Sequence, residues 1–305
     1  MSRFSDLAAA HQRLSANVRG ALWMVASAFT FTLMTTLIKF LGDDYSPALQ
    51  TFYRQAAGVL IMLPIILRDP AGAFRTTRPG VLIFRALTGV LGMILGFYAY
   101  QEMPLADANA LSFTRTLWIV PLAVFVLHER VGPWRIGATL VGFLGVLLML
   151  QPSGQSSVGL PALAALASAL LFAGAITGMK MMTRDHSVTV LMSWSAVLGF
   201  VIAVPFALFD WRWPTPVDLL LLCLMGGLGL ANQALYIKGM EVGDAAAMAP
   251  LDYTRLVFAI LIGLLVFHEI PDAMTMLGVG VIIASTLFIT LREARFKKPP
   301  PVVDQ

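Results

Sequence analysis

Apolar blocks of about 20 residues, separated by short polar or Pro- and Gly-containing connections, run along nearly the whole chain. A block of that length matches the roughly 30 Å hydrocarbon layer of a bilayer at about 1.5 Å rise per residue. The pattern therefore predicts membrane-spanning helices rather than the amphipathic helices of a soluble domain. Pro, Gly and charge divide it into spans at 20–40, 47–67, 80–100, 106–127 and 132–150, then 159–181, 188–209, 217–237, 245–267 and 273–291. The expected fold is an all-α membrane protein of ten transmembrane helices. It comprises an N-terminal segment (1–19), a first set of five spans (20–150), a linker (151–158), a second set of five (159–291) and a C-terminal tail (292–305).

Basic residues in the connections set the orientation, because Lys and Arg are retained on the cytoplasmic side. One parity of segments carries Arg3, Arg13, Arg19, Arg68, Arg75, Arg78, Arg130, Arg135, Arg184, Arg292, Arg295, Lys297 and Lys298, and the other only Arg212. Both termini are expected in the cytoplasm. The polar start followed by an apolar run to Phe40 is too long for the core of a cleaved signal peptide, so the first span is read as retained.

The two sets of five repeat each other. DANALSFTRTLWIVPLAVFVLHE (Asp107 to Glu129) lies over AMAPLDYTRLVFAILIGLLVFHE (Ala247 to Glu269), with Thr114-Arg115 over Thr254-Arg255 and His128-Glu129 over His268-Glu269, an offset of 140 residues. The preceding helix, Gly89 to Ala108, lies over Gly226 to Ala245 at an offset of 137 residues. Further upstream Ser27, Phe31 and Lys39 match Ser168, Phe172 and Lys180, and Gly58 and Pro64 match Gly199 and Pro205. An odd number of spans per copy places the second copy upside down, the inverted-repeat plan of transporters, with solute held near the midplane.

Composition narrows the function classes. Of 305 residues 58% are hydrophobic and 12% charged, against about 25% charged in soluble domains. The net charge of +4 follows the topology signals and gives no nucleic-acid surface. One cysteine (Cys223) and four scattered histidines offer neither a disulfide framework nor a metal-ligand motif, and no cofactor is expected. No GxxxxGK[ST] loop points to ATP, and neither apposed catalytic acids nor a GxSxG turn supports an enzyme. A membrane-embedded enzyme and a channel remain as distant alternatives.

Charges within the spans carry the chemistry, since an ionisable group at bilayer depth costs a few kcal/mol and faces a cavity or a partner. Lys39, Lys180 and Lys238 sit at span ends and are read as interfacial anchors. Arg85 lies about 8 Å in, where inner-leaflet phosphate or a ligand explains it equally. Arg54 (about 10 Å), Arg115 (about 12 Å) and Arg255 (about 17 Å) are deeper and need a partner. The repeat brings Arg115 and Arg255 toward the midplane from opposite sides, where guanidinium forks can clamp a carboxylate or phosphate. The competing reading pairs Arg255 with Asp252, one turn earlier, and leaves the arginines structural. Asp252 is also the proton-coupling candidate, as a carboxylate balanced between low dielectric and a cation. Tyr53, Tyr98, Asn109, Trp118, Trp194, Gln233 and Tyr253 complete the expected lining; Tyr53 and Trp194 occupy equivalent places in the two copies.

With its Gly-rich third and eighth spans ending in LADA and GDA and its HE closing the fourth and ninth, the sequence resembles the EamA type of the drug/metabolite transporter superfamily over roughly residues 20–291. The resemblance implies ten helices in two inverted EamA repeats, alternating access and a central cavity lined by the first four helices of each half. It implies no particular substrate; members of the family are associated with amino acids and other metabolites, S-adenosylmethionine, riboflavin and organic acids. Arg115 stands where many relatives carry a small residue or proline. The expected function is secondary transport of a small metabolite, anionic or carboxylate-bearing, across a bacterial-type inner membrane, coupled to protons or to a counter-substrate, by a monomer or homodimer. The alternative is export of neutral or cationic compounds.

Overall fold

A computed structural model describes residues 16–125, 132–150, 159–182, 186, 188–243 and 248–296. His128, Glu129, the 151–158 linker, the side chain of Lys180 and the terminal segments 1–15 and 297–305 lie outside the described residues.

The described residues form helices and no strand. The first copy contributes α1 (Ala16–Phe40), α2 (Pro47–Arg68), the one-turn α3 (Pro70–Ala73), α4 (Pro79–Glu102), α5 (Leu105–Phe113), α6 (Arg115–Phe125) and α7 (Pro133–Leu150). The second contributes α8 (Leu160–Met182), α9 (Val188–Leu208), α10 (Pro216–Val242), a 3-10 turn (Ala249–Tyr253), α11 (Thr254–Phe267) and α12 (Ala273–Phe296). Seven of the described helical segments are long and apolar enough to cross a membrane, and shorter apolar helices occur at Ile136–Leu148 and Ala273–Ile289.

Two spans differ from the uninterrupted helices expected. The fourth breaks at Thr114, whose hydroxyl and amide both turn back onto Leu111 O, leaving α5 and α6 as separate pieces. The ninth enters through the 3-10 turn, and Thr254 repeats the same back-bond to Leu251 O at 2.7 Å. Threonine's hydroxyl competes for the helix carbonyls at both matched positions, so the break belongs to the repeat. It sets Arg115 and Arg255 each at the first turn of a new helix segment.

Helix starts follow local chemistry. Ser46 and Thr215 cap α2 and α10 with proline at the first helical position, and Thr215 also bonds the Asp218 carboxylate at 2.6 Å. Packing then exchanges partners between the copies: α1 lies along α10 as α4 lies along α8, while α2 meets α9 and α7 meets α12. Close approach along the first two seams depends on glycine. A Cβ on Gly20 would lie 2.9 Å from Gly243 Cα, and one on Gly96 2.8 Å from Ser168 Oγ. Each seam also carries a serine bond, Ser27 to Asn232 Oδ1 at 2.7 Å and Ser168 to Gly92 O at 2.6 Å.

Candidate functional site

Between the copies two cavities share the walls Arg54, Met93, Arg115 and Phe172. The deeper one, about 190 Å³, is lined by Phe31, Met34, Phe97, Tyr100, Ser112, Ser168 and Arg255 among others. The second, about 360 Å³, runs past Gln55, Arg85, Ser195 and Gln233 to Ile61, Ile176 and Met192, which are 55%, 40% and 37% exposed. The deep cavity's other walls are largely buried, Met34, Phe97, Ala99 and Ala108 among them. The two cavities therefore adjoin at those shared side chains, the first ending against buried residues on the Lys39 side and the second against more exposed ones on the Arg85 side.

Four arginines line these cavities and differ in what they touch. Arg255, 6% exposed, is held: its guanidinium lies 4.0 Å from the Phe113 ring and 5.0 Å from Phe31, 3.7 Å from the Asp252 carboxylate and 3.3 Å from Ser112 Oγ. Aromatic faces and a carboxylate offset part of that charge, although its buried Nε, like that of Arg54, has no hydrogen-bond partner among the described residues. Arg85 donates to Ser195 Oγ across α4 and α9, and Ser195 donates onward to Leu191 O. Arg54 reaches only Gln55 Oε1 at 3.5 Å and Met93 Sδ at 3.2 Å, and its buried Nε has no partner. Arg115 makes no hydrogen bond or ion pair among the described residues, although Asp252, Tyr100 and Arg255 act on it electrostatically. Two cations thus face the shared wall of the cavities without a matching anion.

The structure assembles Arg54, Arg85, Arg115, Arg255 and Gln233 around these cavities. The remaining expected lining residues pack elsewhere. Tyr53 stacks on Trp211 at 6.4 Å, Trp118 lies edge-on to Phe143 at 4.8 Å, and Trp194 donates to Phe74 O at 3.3 Å. Asn109 is fully buried and donates to Leu105 O, and Tyr253 donates to Thr286 Oγ1 and packs on Phe113. Tyr98 is in neither cavity wall. Phe31 and Phe172 were missed, although their match between the copies was the available signal.

The span-end lysines also differ from one another. Lys238 lies over the Trp23 ring at 5.3 Å, consistent with an interfacial anchor. Lys39 is no free anchor: it donates to Glu269 Oε1 and, at 2.8 Å, to Met103 O, while Glu269 Oε2 accepts the Leu105 amide at 2.9 Å. The HE motif explains the aim of Glu269. His268 adopts a left-handed conformation at φ 56°, and the Glu269 amide bonds back to Gly263 O at 3.0 Å, folding the carboxylate over the end of α11. Among the described residues no group of three or more His, Cys, Asp or Glu is placed to hold a metal.

Duplicated apolar helices around adjoining, cation-lined cavities define a multi-pass integral membrane protein of the carrier class. The EamA-like transporter family matches residues 18–151 and 159–291, and the chain belongs to that family. It is similar to an S-adenosylmethionine uptake transporter of Rickettsia prowazekii (29% identity, covering 92% of this chain and 96% of the relative). A riboflavin transporter of Rhizobium johnstonii is 31% identical, over 93% of this chain and 94% of its own length. The pseudopaline exporter CntI of Pseudomonas aeruginosa is 28% identical, over 87% and 93%. A solved crystal structure at 18% identity matches the fold with a TM-score of 0.59, covering 94% of this chain and 99% of the other. The protein is a transporter of small metabolites, not an enzyme.

Proposed function

We propose that this chain carries a small organic anion or carboxylate-bearing metabolite across the bacterial plasma membrane by alternating access. The observation that carries the reading is the pair Arg54 and Arg115, on the wall common to both cavities, neither of them in ion-pair contact with a carboxylate among the described residues. A charge left in that setting is costly, and a bound carboxylate or phosphate accepting guanidinium hydrogen bonds relieves the cost. Arg255, already held by Asp252 and two rings, then acts as a fixed positive wall rather than as half of the clamp. Arg85, near the open mouth, draws the anion in.

The seven long helices, together with α7, α11 and α12, make ten spans in two inverted repeats with both termini cytoplasmic. The distribution of basic residues supports that orientation, so the open mouth faces the cytoplasm. S-adenosylmethionine uptake, riboflavin transport and pseudopaline export in the relatives agree on small metabolites, and uptake in one and export in another differ in direction. Asp252, with its side chain 26% exposed and 3.7 Å from Arg255, is the group through which a proton couples to the cycle.

The test is a thermal-stability screen of the purified full-length protein against citrate, succinate, glutamate, S-adenosylmethionine, riboflavin and leucine. A ligand of the folded state raises its stability. Stabilisation by carboxylates that Arg54→Gln abolishes supports the reading. Stabilisation by riboflavin alone, retained in Arg54→Gln and Arg115→Gln, overturns it.

A further inference from the structure

The Lys39 end of the cavities is closed by a different kind of contact from the apolar packing around it. Three chain segments converge there: the end of α1, the joint between α4 and α5, and the end of α11 with the turn after it. Lys39 and Glu269 are the hinge of that convergence, and each makes a second bond to backbone, to Met103 O and from Leu105 N. Lys39 also lies 5.2 Å from the Phe267 ring. The side chains are only 14% and 16% exposed. Lys39, Met103 and Leu105 belong to the first copy and Glu269 to the second, so the pair ties the halves together across the end that closes.

We propose that the Lys39–Glu269 ion pair is the releasable latch of this end, and that its opening lets the solute passage face the opposite side of the membrane. The physical ground is the near balance of such pairs. Desolvating both charges costs about what their attraction returns, so a partly buried pair adds little net stability and can part once water reaches it. The apolar cluster behind it, which includes Ile38, Leu41, Leu49 and Leu222, packs tightly but has no charge whose hydration could offset its opening. An ion pair at the rim gives the closure a state to switch between. The backbone contacts make the switch mechanical. Releasing Glu269 frees the first amide of α5, the helix that leads to the Thr114 break and Arg115. The left-handed His268 turn holds Glu269 in reach, and its carboxylate folds back over α11, 3.2 Å from where a Cβ on Gly263 would stand.

The inference rests on the alternating-access reading above and not on the charge of the solute. It is tested without any solute. A cysteine at Ala165, 4% exposed and lining the deep cavity, is introduced with Cys223→Ser, and intact cells are exposed to a membrane-impermeant maleimide. The latched protein should label slowly. Glu269→Gln, which keeps an oxygen for the Leu105 amide but removes the charge, and Lys39→Met should each raise the rate about tenfold by shifting the population toward the open end. The double variant should label no faster than either single one, since both break one interaction. Lys39→Arg, which keeps the pair, should stay slow and reports the latch even if a charge-removing variant fails to accumulate. Rapid labelling of the unaltered pair, an unchanged rate in Glu269→Gln or Lys39→Met, or multiplying effects in the double variant overturns the latch. Failure there, with carboxylate binding intact, leaves the anion site standing; loss of carboxylate binding, with the latch behaviour intact, does the reverse.

Discussion

The Lys39 end and the Arg85 end of the molecule are built from matched segments of a duplicated sequence, yet they are chemically different. At the Lys39 end a large apolar cluster spans α1, α2, α4, α5, α9, α10 and α11, and among the described residues two side-chain pairs tie the copies together, Lys39 with Glu269 and Tyr45 with Asp218. At the Arg85 end the described residues form small clusters, around Met62 and Ile66 and around Leu82 and Leu191, and the second cavity ends against more exposed side chains. Position by position the divergence is clear. The repeat lays Arg54 over Ser195, so α2 presents a guanidinium where α9 presents a hydroxyl, which Arg85 of α4 then occupies. Duplication supplies the exchanged packing; divergence at a few cavity positions makes one end a closed wall and the other a basic mouth.

The largest expected effect comes from the cations between the ends. Arg54→Gln and Arg115→Gln should each lower the initial uptake rate in proteoliposomes by about 10- to 100-fold. That is the worth of one charge-assisted hydrogen bond or slightly more. Protein yield and melting behaviour should be unchanged, because neither side chain has an ion-pair partner to lose among the described residues. Equal uptake by either variant would make these arginines bystanders and move the contrast between the ends to packing alone.

Next comes the seam that both ends share. Gly96→Leu places a side chain where even a Cβ meets Ser168 Oγ at 2.8 Å, and should separate α4 from α8. The expected loss is about 1–3 kcal/mol of stability from overpacking, read as lower folded yield by size-exclusion chromatography. Gly89→Leu, where nothing lies within 4 Å of an added Cβ, should be tolerated and is the matched control.

The sequence made the helical plan legible because lipid imposes a length on every span, and the apolar blocks end within a few residues of α1, α2, α4, α9 and α10. The break at Thr114 was not legible, since hydropathy does not register a threonine turning onto Leu111 O. Depth counted along each helix singles out the four arginines that line the two cavities, because buried charge is rare and conspicuous. Tyr53, Trp118, Trp194 and Tyr253 pack against other rings outside both cavity walls, because the face each one turns to depends on helix rotation, which hydropathy does not encode. Lys39 was read as an anchor because its partner lies 230 residues away and becomes visible only once α11 turns at His268.

A moderate effect is expected at the mouth. Arg85→Gln keeps a hydrogen-bond donor for Ser195 but removes the charge that the open chamber presents to an incoming anion. The half-saturating solute concentration on the Arg85 side should rise about three- to tenfold, more at low ionic strength than at high, with the maximal rate little altered. An effect confined to the maximal rate would place Arg85 in the moving parts instead.

The smallest effect isolates the second tie of the closed end. Tyr45 is 4% exposed and its hydroxyl donates to Asp218 at 2.8 Å, joining the α1–α2 turn to the start of α10. Asp218 keeps the Thr215 hydroxyl at 2.6 Å when Tyr45 is replaced by Phe, and water can take the vacated site on its carboxylate. The loss should therefore be only about 1 kcal/mol, seen as a fall of about 2–4 °C in melting temperature. Unlike Glu269→Gln, Tyr45→Phe should leave maleimide access through this end nearly slow, since the Lys39 contact remains. If Tyr45→Phe instead opened the end as widely as loss of Glu269, closure would reside in the whole packed face, and the difference between the two ends would be one of area rather than of a single ion pair.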